Sequence, residues 1–412
     1  MAFHFPERNQ NFWQLTCIQS ASQSIPGILI GGILSRQYGP KTAILSICVG
    51  NLILWIIGLG VISIAAKERK NAIENVKGFL GKGSSIAMAV ILIIAFLSWY
   101  MLEIQSSMAT LAPLFPSGSK IDLTLVGGAF GVLIAILSMG GIRLIRRVCV
   151  MAFPFLLAFV IYGIFTSDLS VIESGSWGIS FYGTITVAAI TLPGTVNLPT
   201  FFRHAHSRAD SLIALTMMTL FDSIFQIYSV FTQMTDPFEL LGGPATTANL
   251  SFYAIVVIVF VIASLFCLNL VNIYFASAGL ESIFPRLANS KGYVLVGLLG
   301  TGTFLLLKNY SQIIFLEIPT NNFIVSLGGV LLISCLIRIA IKHRFRAFEK
   351  SINSFCWAVG CFTALIMQLY FPQDPNRALI SGIFGSVIAF LLTIFIEETV
   401  WAFKRLHPIK GN

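Results

Sequence analysis

Apolar runs of about twenty residues recur from one end of this chain to the other, each long enough to cross the roughly 30 Å hydrocarbon core of a bilayer as a helix. Twelve such spans can be drawn, over residues 11–34, 42–65, 84–114, 123–138, 148–165, 180–200, 211–234, 250–275, 293–307, 311–337, 354–371 and 378–396. Of the 412 residues, 56% are hydrophobic and 10% charged, and the mean hydropathy is +0.86. No stretch is left over for a soluble domain. With no water in the bilayer core to satisfy backbone groups, the expectation is an all-α membrane protein forming one transmembrane domain over 1–412. The opening "MAFHFPERNQ" has neither a basic n-region nor a cleavage site, so the first span is expected to be retained rather than removed as a signal peptide.

When the spans alternate in direction, only Arg36, Lys41, Lys120, Lys308 and Arg377 of the 26 Lys and Arg residues fall on one side of the membrane. The other 21 lie on the opposite side with both termini, which places those termini in the cytoplasm and the protein in the cytoplasmic (inner) membrane. The net charge of +9 is therefore a topology signal spread over the loops of one face, and no nucleic-acid partner is implied. The seven cysteines, Cys17, Cys48, Cys149, Cys267, Cys335, Cys356 and Cys361, all fall in apolar spans without CxxC spacing and read as small buried residues. His4, His204, His206, His343 and His407 all lie in cytoplasmic segments, so no membrane-embedded histidine is available as a proton relay. "RHAH" alone does not make a metal site.

Two spans carry helix breakers in corresponding places. The first contains "QSASQSIPG" with Pro26-Gly27, and the sixth contains "TLPGTVNLPT" with Pro193-Gly194 and Pro199. Broken helices 1 and 6, five helices apart, are the mark of a five-plus-five inverted repeat with solute held between them at the midplane. The first repeat is expected over about 11–165, the second over about 180–337, with two extra helices over about 354–396. "GLLGTG" around Gly297 follows no strand and is no dinucleotide fingerprint. Gly127 and Gly131 in "GGAFG" read as a close helix contact.

Three carboxylates fall inside spans, Glu103, Asp222 and Glu317. Each costs about 2.5 kcal/mol or more there unless it neutralises, pairs or faces water. All three are therefore candidates for proton coupling. Glu103 follows Trp99 by one helical turn, a pairing suited to a small planar ligand that needs stacking together with hydrogen bonds. Asp222, in "TLFDSIFQ", has Ser223 and Gln226 as local polar company and reads equally as a protonated acid bonded to a neighbouring helix. Glu317 precedes "IPTNN", where Pro319, Asn321 and Asn322 suggest another opened segment.

In their order these stretches resemble nucleobase-cation symporter family 1, which includes cytosine permeases and hydantoin transporters, within the amino acid-polyamine-organocation superfamily. "QSASQS" resembles the family's broken first helix and "GNLILWI" the start of its second. "LGKGSS" leads to the third helix with its "SWY", "LPTFFRHAHS" resembles the exit from helix 6, "NIYFASAGLESI" the end of helix 8, and "IPTNN" with "GGVLL" helix 10. Thr200 stands where family members have an Asp. The resemblance implies a LeuT-like fold in which Trp99 stacks on the substrate ring and Glu103 takes the place of a substrate-binding glutamine. Gln19, with Ser20 beside it, matches a binding position in helix 1. The binding asparagine of helix 8 falls at Asn269 or Asn272, Asn269 being preferred, and Asn321 joins the set from helix 10. The second aromatic that the family supplies from helix 6 is missing near Thr191, with none until Tyr182 or Phe201, so stacking on one side is expected. The family's sodium site is degenerate, since "ASLFCLNL" keeps Ser264 but has Cys267 and Leu268 for the usual threonine pair. Sodium prefers hard oxygen ligands.

The expectation is a secondary active transporter, and no enzyme, that moves a nucleobase or related planar heterocycle such as cytosine, a purine or an aminopyrimidine by alternating access. No cofactor is expected beyond a coupling proton in place of sodium. The partners implied are that solute and the lipid bilayer, with no obligate protein partner. An amino acid transporter of the same superfamily and a non-transporting membrane sensor are the alternatives. A membrane enzyme is disfavoured because no Ser-His-Asp, Cys-His or metal constellation occurs in the spans.

Overall fold

The computed structural model describes residues 9–68, 70–112, 122–166, 175–232, 252–288, 290–307, 322, 325–330, 350–370 and 377–406. Its helices are α1 (Phe12–Ser22), α2 (Ser24–Tyr38), α3 (Pro40–Glu68), α4 (Ala72–Leu80), α5 (Lys82–Leu111), α6 (Leu123–Leu137), α7 (Gly141–Thr166), α8 (Phe181–Asn197), α9 (Pro199–Phe202), α10 (Arg208–Thr232), α11 (Phe252–Ile283), α12 (Ser290–Leu307), α13 (Lys350–Tyr370) and α14 (Arg377–Leu406). Among the described residues the one extended contact is an isolated parallel bridge between Gln10 and Ala205.

Nine of the described helical stretches are long and apolar enough to cross a membrane, and the bent pair α1–α2 makes a tenth. One stretch, Leu123–Phe165, runs for 43 residues. As a single rod it would be about 65 Å long, twice the hydrocarbon thickness. A 3-10 turn at Ser138–Gly140 followed by Gly141 at φ +54 divides it into α6 and α7, as the sequence implies for the fourth and fifth spans. The chain is a multi-pass membrane protein. The expected tenth span, 311–337, lies largely outside the described residues, and with it Glu317 and Asn321.

The first break falls where expected. Pro26 has no N–H to give to the carbonyl one turn back, and the chain bends by 54° between α1 and α2. Local donors take over at the bend: Gln23 N donates to Ser20 O at 3.1 Å, Ser22 Oγ to Gln19 O at 2.7 Å and Ser24 Oγ to Ala21 O at 3.0 Å. The sixth span differs from expectation, because α8 continues through Pro193-Gly194 to Asn197. Side chains one turn on stitch the carbonyls there, with Thr195 Oγ1 donating to Thr191 O at 3.3 Å and Asn197 Nδ2 to Pro193 O at 3.0 Å. The interruption is deferred to Leu198, which keeps helical dihedrals (φ −47, ψ −36) before Pro199 opens α9.

Around these two elements α5 packs along α11, while α10 packs against α1, α2 and α3, and α8 against α3. Small residues set the closest approaches. A Cβ on Gly31 of α2 would overlap the backbone of Gln226 in α10, and one on Gly131 of α6 would lie 2.5 Å from Thr301 Oγ1 of α12. Gly297 and Gly300, in "GLLGTG", meet Ala135 of α6 and Tyr100 of α5 in the same way, so that motif is a packing seam. Among the described residues α13 and α14 pair with each other and touch the rest chiefly through α4 and α8. Six cysteines in the described residues are free thiols.

Candidate functional site

The end of α1 and the start of α2 present Gln19, Ser22, Gln23 and Pro26 across the break. These residues border a cavity with about 500 Å³ of empty space, which is closed by Phe96 and Trp99 of α5, Ile190, Thr191, Pro193 and Gly194 of α8, and Leu268, Val271, Asn272 and Phe275 of α11. A second, smaller chamber adjoins it and shares Gln19, Gln23, Thr191 and Gly194. Asn51, Thr195, Thr219 and Asp222 add polar walls to this second space. At Gly194 a Cβ would meet only Gln23 Nε2, at 3.8 Å, so the glycine keeps the boundary between the chambers low.

Trp99, Gln19 and Asn272 therefore converge on one space. Asn269 does not reach it. Fully buried one turn away, it accepts a hydrogen bond from Asn272 Nδ2 at 3.4 Å and so orients its neighbour. The lining asparagine of helix 8 is Asn272. Ser20, expected beside Gln19, points off the lining face and is fully buried. The sequence reading missed Phe96 and Phe275, whose rings stack at 4.6 Å and 21° beside Trp99. Their signal was present, since Phe96 precedes Trp99 by three residues and Phe275 follows Asn272 by three. The aromatic enclosure is built from α5 and α11, while Tyr182 lies exposed at the start of α8 and Phe201 packs beneath the cavity.

Glu103 does not line this cavity. It shares a face with Trp99 but lies a turn further along α5, which carries it past the cavity lining to the α1–α2 break. There, at 3% exposure, its Oε1 accepts from Ser264 Oγ at 3.4 Å, and Ser264 Oγ lies 2.6 Å from Ser24 Oγ. The carboxyl thus occupies the place where the family resemblance implies helix 1 and helix 8 oxygens around sodium. Ser24, Ser264 and Glu103 bring oxygens together there, but Cys267, where the resemblance implies a hydroxyl ligand, neighbours the thiols of Cys17 and Cys149 instead. Soft sulfur is a poor ligand for a hard cation. Among the described residues no group of His, Cys, Asp and Glu is placed to hold a metal.

Below the cavity a plug seals the side on which the basic residues cluster. Phe275 meets Phe201 edge-on at 5.0 Å, and Phe201 meets Tyr274 at 4.7 Å. Tyr274 Oη is 2.9 Å from His204 Nε2 and accepts from Arg203 Nη2 at 3.3 Å. Burial alone would lower the pKa of Arg203, but Tyr274, Glu281 and Glu74 outweigh it and hold the guanidinium above its ordinary value, so it stays a cation. His204 O receives Asn9 N and Gln10 N, each at 3.1 Å, and His206 N donates to Gln10 O at 2.9 Å. Thr200, in place of the family's Asp, accepts from Ala72 N at 3.3 Å and so helps Asn71 cap α4.

The same arrangement of helices is found in solved transporters. One structure, that of Mhp1, a nucleobase-cation-symport-1 family transporter, in a closed conformation with bromovinylhydantoin bound, matches 98% of this chain and 95% of its own at a TM-score of 0.68 and 16% identity. This chain has the fold of that transporter. The inward-facing form of Mhp1 matches at 0.63 and 17% identity, over 95% of this chain and 92% of its own. A Na+-coupled sialic acid symporter in an outward-open state matches at 0.68 and 15% identity, over 94% and 89%. No family model and no curated protein matches the sequence.

Proposed function

We propose that this chain is a member of nucleobase-cation symporter family 1 that carries a small planar heterocycle across the cytoplasmic membrane by alternating access, driven by protons. The observation that carries this is the cavity at the helix 1 break, where the Trp99 ring and the edge-reading amides of Gln19 and Asn272 line one space. A flat, donor- and acceptor-bearing ring is the ligand that uses both features. The plug below the cavity and the match to both closed and outward-open transporters suit a cycle in which one face is shut while the other is served.

Proton coupling follows from counting hydrogens around Glu103. Ser24 and Ser264 each have one hydroxyl proton to give. With Glu103 protonated, its O–H donates to Ser264, Ser264 to Ser24, and Ser24 to Ala21 O at the bend. With Glu103 ionised, the chain reverses. Ser264 donates to the carboxylate, Ser24 donates to Ser264, and Ala21 O loses its donor at the point where the helix breaks. Proton occupancy is thereby read by the element that must move. A proton does at this locus what a sodium ion does where the ligands are hard oxygens.

The test is ligand binding to the purified full chain with a panel of nucleobases and amino acids, read by thermal shift. Nucleobases or related pyrimidines are expected to stabilise the wild type and to lose that effect in Trp99→Ala. Stabilisation by amino acids alone would overturn the proposal.

A further inference from the structure

The second chamber has a chemical polarity that a nucleobase alone does not use. Every hydroxyl on its wall has its proton committed elsewhere. Thr191 Oγ1 donates to Val187 O, Thr195 Oγ1 to Thr191 O and Thr219 Oγ1 to Leu215 O. Asn51 gives an amide proton to Gln226 Oε1 at 2.8 Å. What these three threonines can offer the chamber is lone pairs. Asp222, 5% exposed, lines the same wall; its Oδ1 has no partner within hydrogen-bond geometry, and the one group that faces the carboxyl from the broken helix is the neutral hydroxyl of Ser20. Its sequence neighbours do not serve it either, since Ser223 Oγ donates to Thr219 O and Gln226 is held by Asn51. None of the residues around the chamber is Lys, Arg or His.

A buried carboxylate with a neutral hydroxyl beside it and no cation lacks the charge compensation that such groups need. The unpartnered donor nearby, Gln19 Nε2, belongs to the wall shared with the ring cavity. We infer that the chamber is an amine subsite, in which Asp222 takes the protonated amino group of a solute whose ring lies against Trp99. This deepens the proposed function and rests on it: the solute class narrows to planar heterocycles with a short aminoalkyl arm. An ammonium supplies three donors to a wall whose threonine hydroxyls offer only lone pairs, and a charge to the carboxylate. Gly194 leaves the arm room to pass between the chambers.

The experiment compares matched ligands on the full chain in lipid nanodiscs, in sodium-free potassium buffer: 5-aminomethylcytosine against 5-hydroxymethylcytosine, and the corresponding uracil pair. A charge-assisted hydrogen bond predicts that the aminomethyl member binds at least about ten-fold more tightly than its hydroxymethyl twin. In Asp222→Asn the ratio is expected to fall towards one. The wild-type ratio is informative even if that variant does not fold. Equal binding of both twins, abolished by Trp99→Ala, would overturn the amine subsite and leave the transport proposal standing. Failure of every ring to bind would overturn both. Stabilisation by sodium chloride that requires Asp222, with no preference for the amine, would assign the chamber to an inorganic cation and also overturn the inference.

Discussion

Trp99 and Glu103 stand one turn apart on α5 and do different work, because a turn of helix is enough to leave one chamber and enter another environment. Trp99→Ala is expected to weaken binding of a planar ligand by the worth of one stacking contact, about 1–3 kcal/mol, read by calorimetric titration. Glu103→Gln keeps shape and hydrogen-bonding capacity but removes the titration. It is expected to retain ligand binding and solute exchange while losing accumulation driven by an imposed pH gradient. Loss of binding itself would mean that Glu103 contacts the solute. Gln19 and the Pro26-Gly27 break were legible in the sequence because a helix breaker and its polar neighbours stand out locally, without reference to other helices. The depth of Glu103 and the choice of Asn272 over Asn269 were not, because each depends on how far α5 and α11 slide along α1, a tertiary quantity with no trace in local spacing.

At the scale of elements, two proline-bearing helices behave differently for reasons written in their neighbours. The α1–α2 bend is held by Ser22 and Ser24, whose hydroxyls satisfy carbonyls of a helix that has turned away, whereas Thr195 and Asn197 stitch α8 through its Pro193. Pro-Gly read alone does not distinguish these outcomes, since the deciding donors lie two to four residues away, before the proline in the first case and after it in the second. Ser24→Ala removes the hydroxyl that joins Ala21 O to Ser264. It is expected to uncouple uptake from the pH gradient as Glu103→Gln does, with binding retained, in the same flux assay. The plug gives a second expectation. Tyr274→Phe deletes the oxygen that gathers Arg203 and His204, and amide exchange at Gln10 and His206 is expected to accelerate by about ten-fold, the value of a lost buried hydrogen bond. Close packing sets a third. Gly131→Leu would drive a side chain into Thr301 and is expected to lower the thermal midpoint in detergent, at an overpacking cost of about 1–3 kcal/mol.

For the molecule as a whole, the apolar periodicity and the charge asymmetry were enough to read a multi-pass helical bundle, and the structure carries the fold of Mhp1 over nearly its full length. The long crossing helices, α5 with α11 and α10 with α2 and α3, frame a cavity reached at the break in helix 1 and stopped on one side by the Tyr274 plug. In that frame Cys267 stands where the family resemblance implies a hydroxyl, and the buried carboxyl of Glu103 beside Ser264 is the group on which the proposed proton coupling rests. The most direct measurement is uptake of a radiolabelled nucleobase that binds the purified protein, in proteoliposomes free of sodium, with an acid-outside pH gradient imposed. Accumulation above equilibrium, collapsing when a protonophore dissipates the gradient and unchanged when sodium is added, is the expected result. Accumulation that requires sodium and ignores the pH gradient would contradict it.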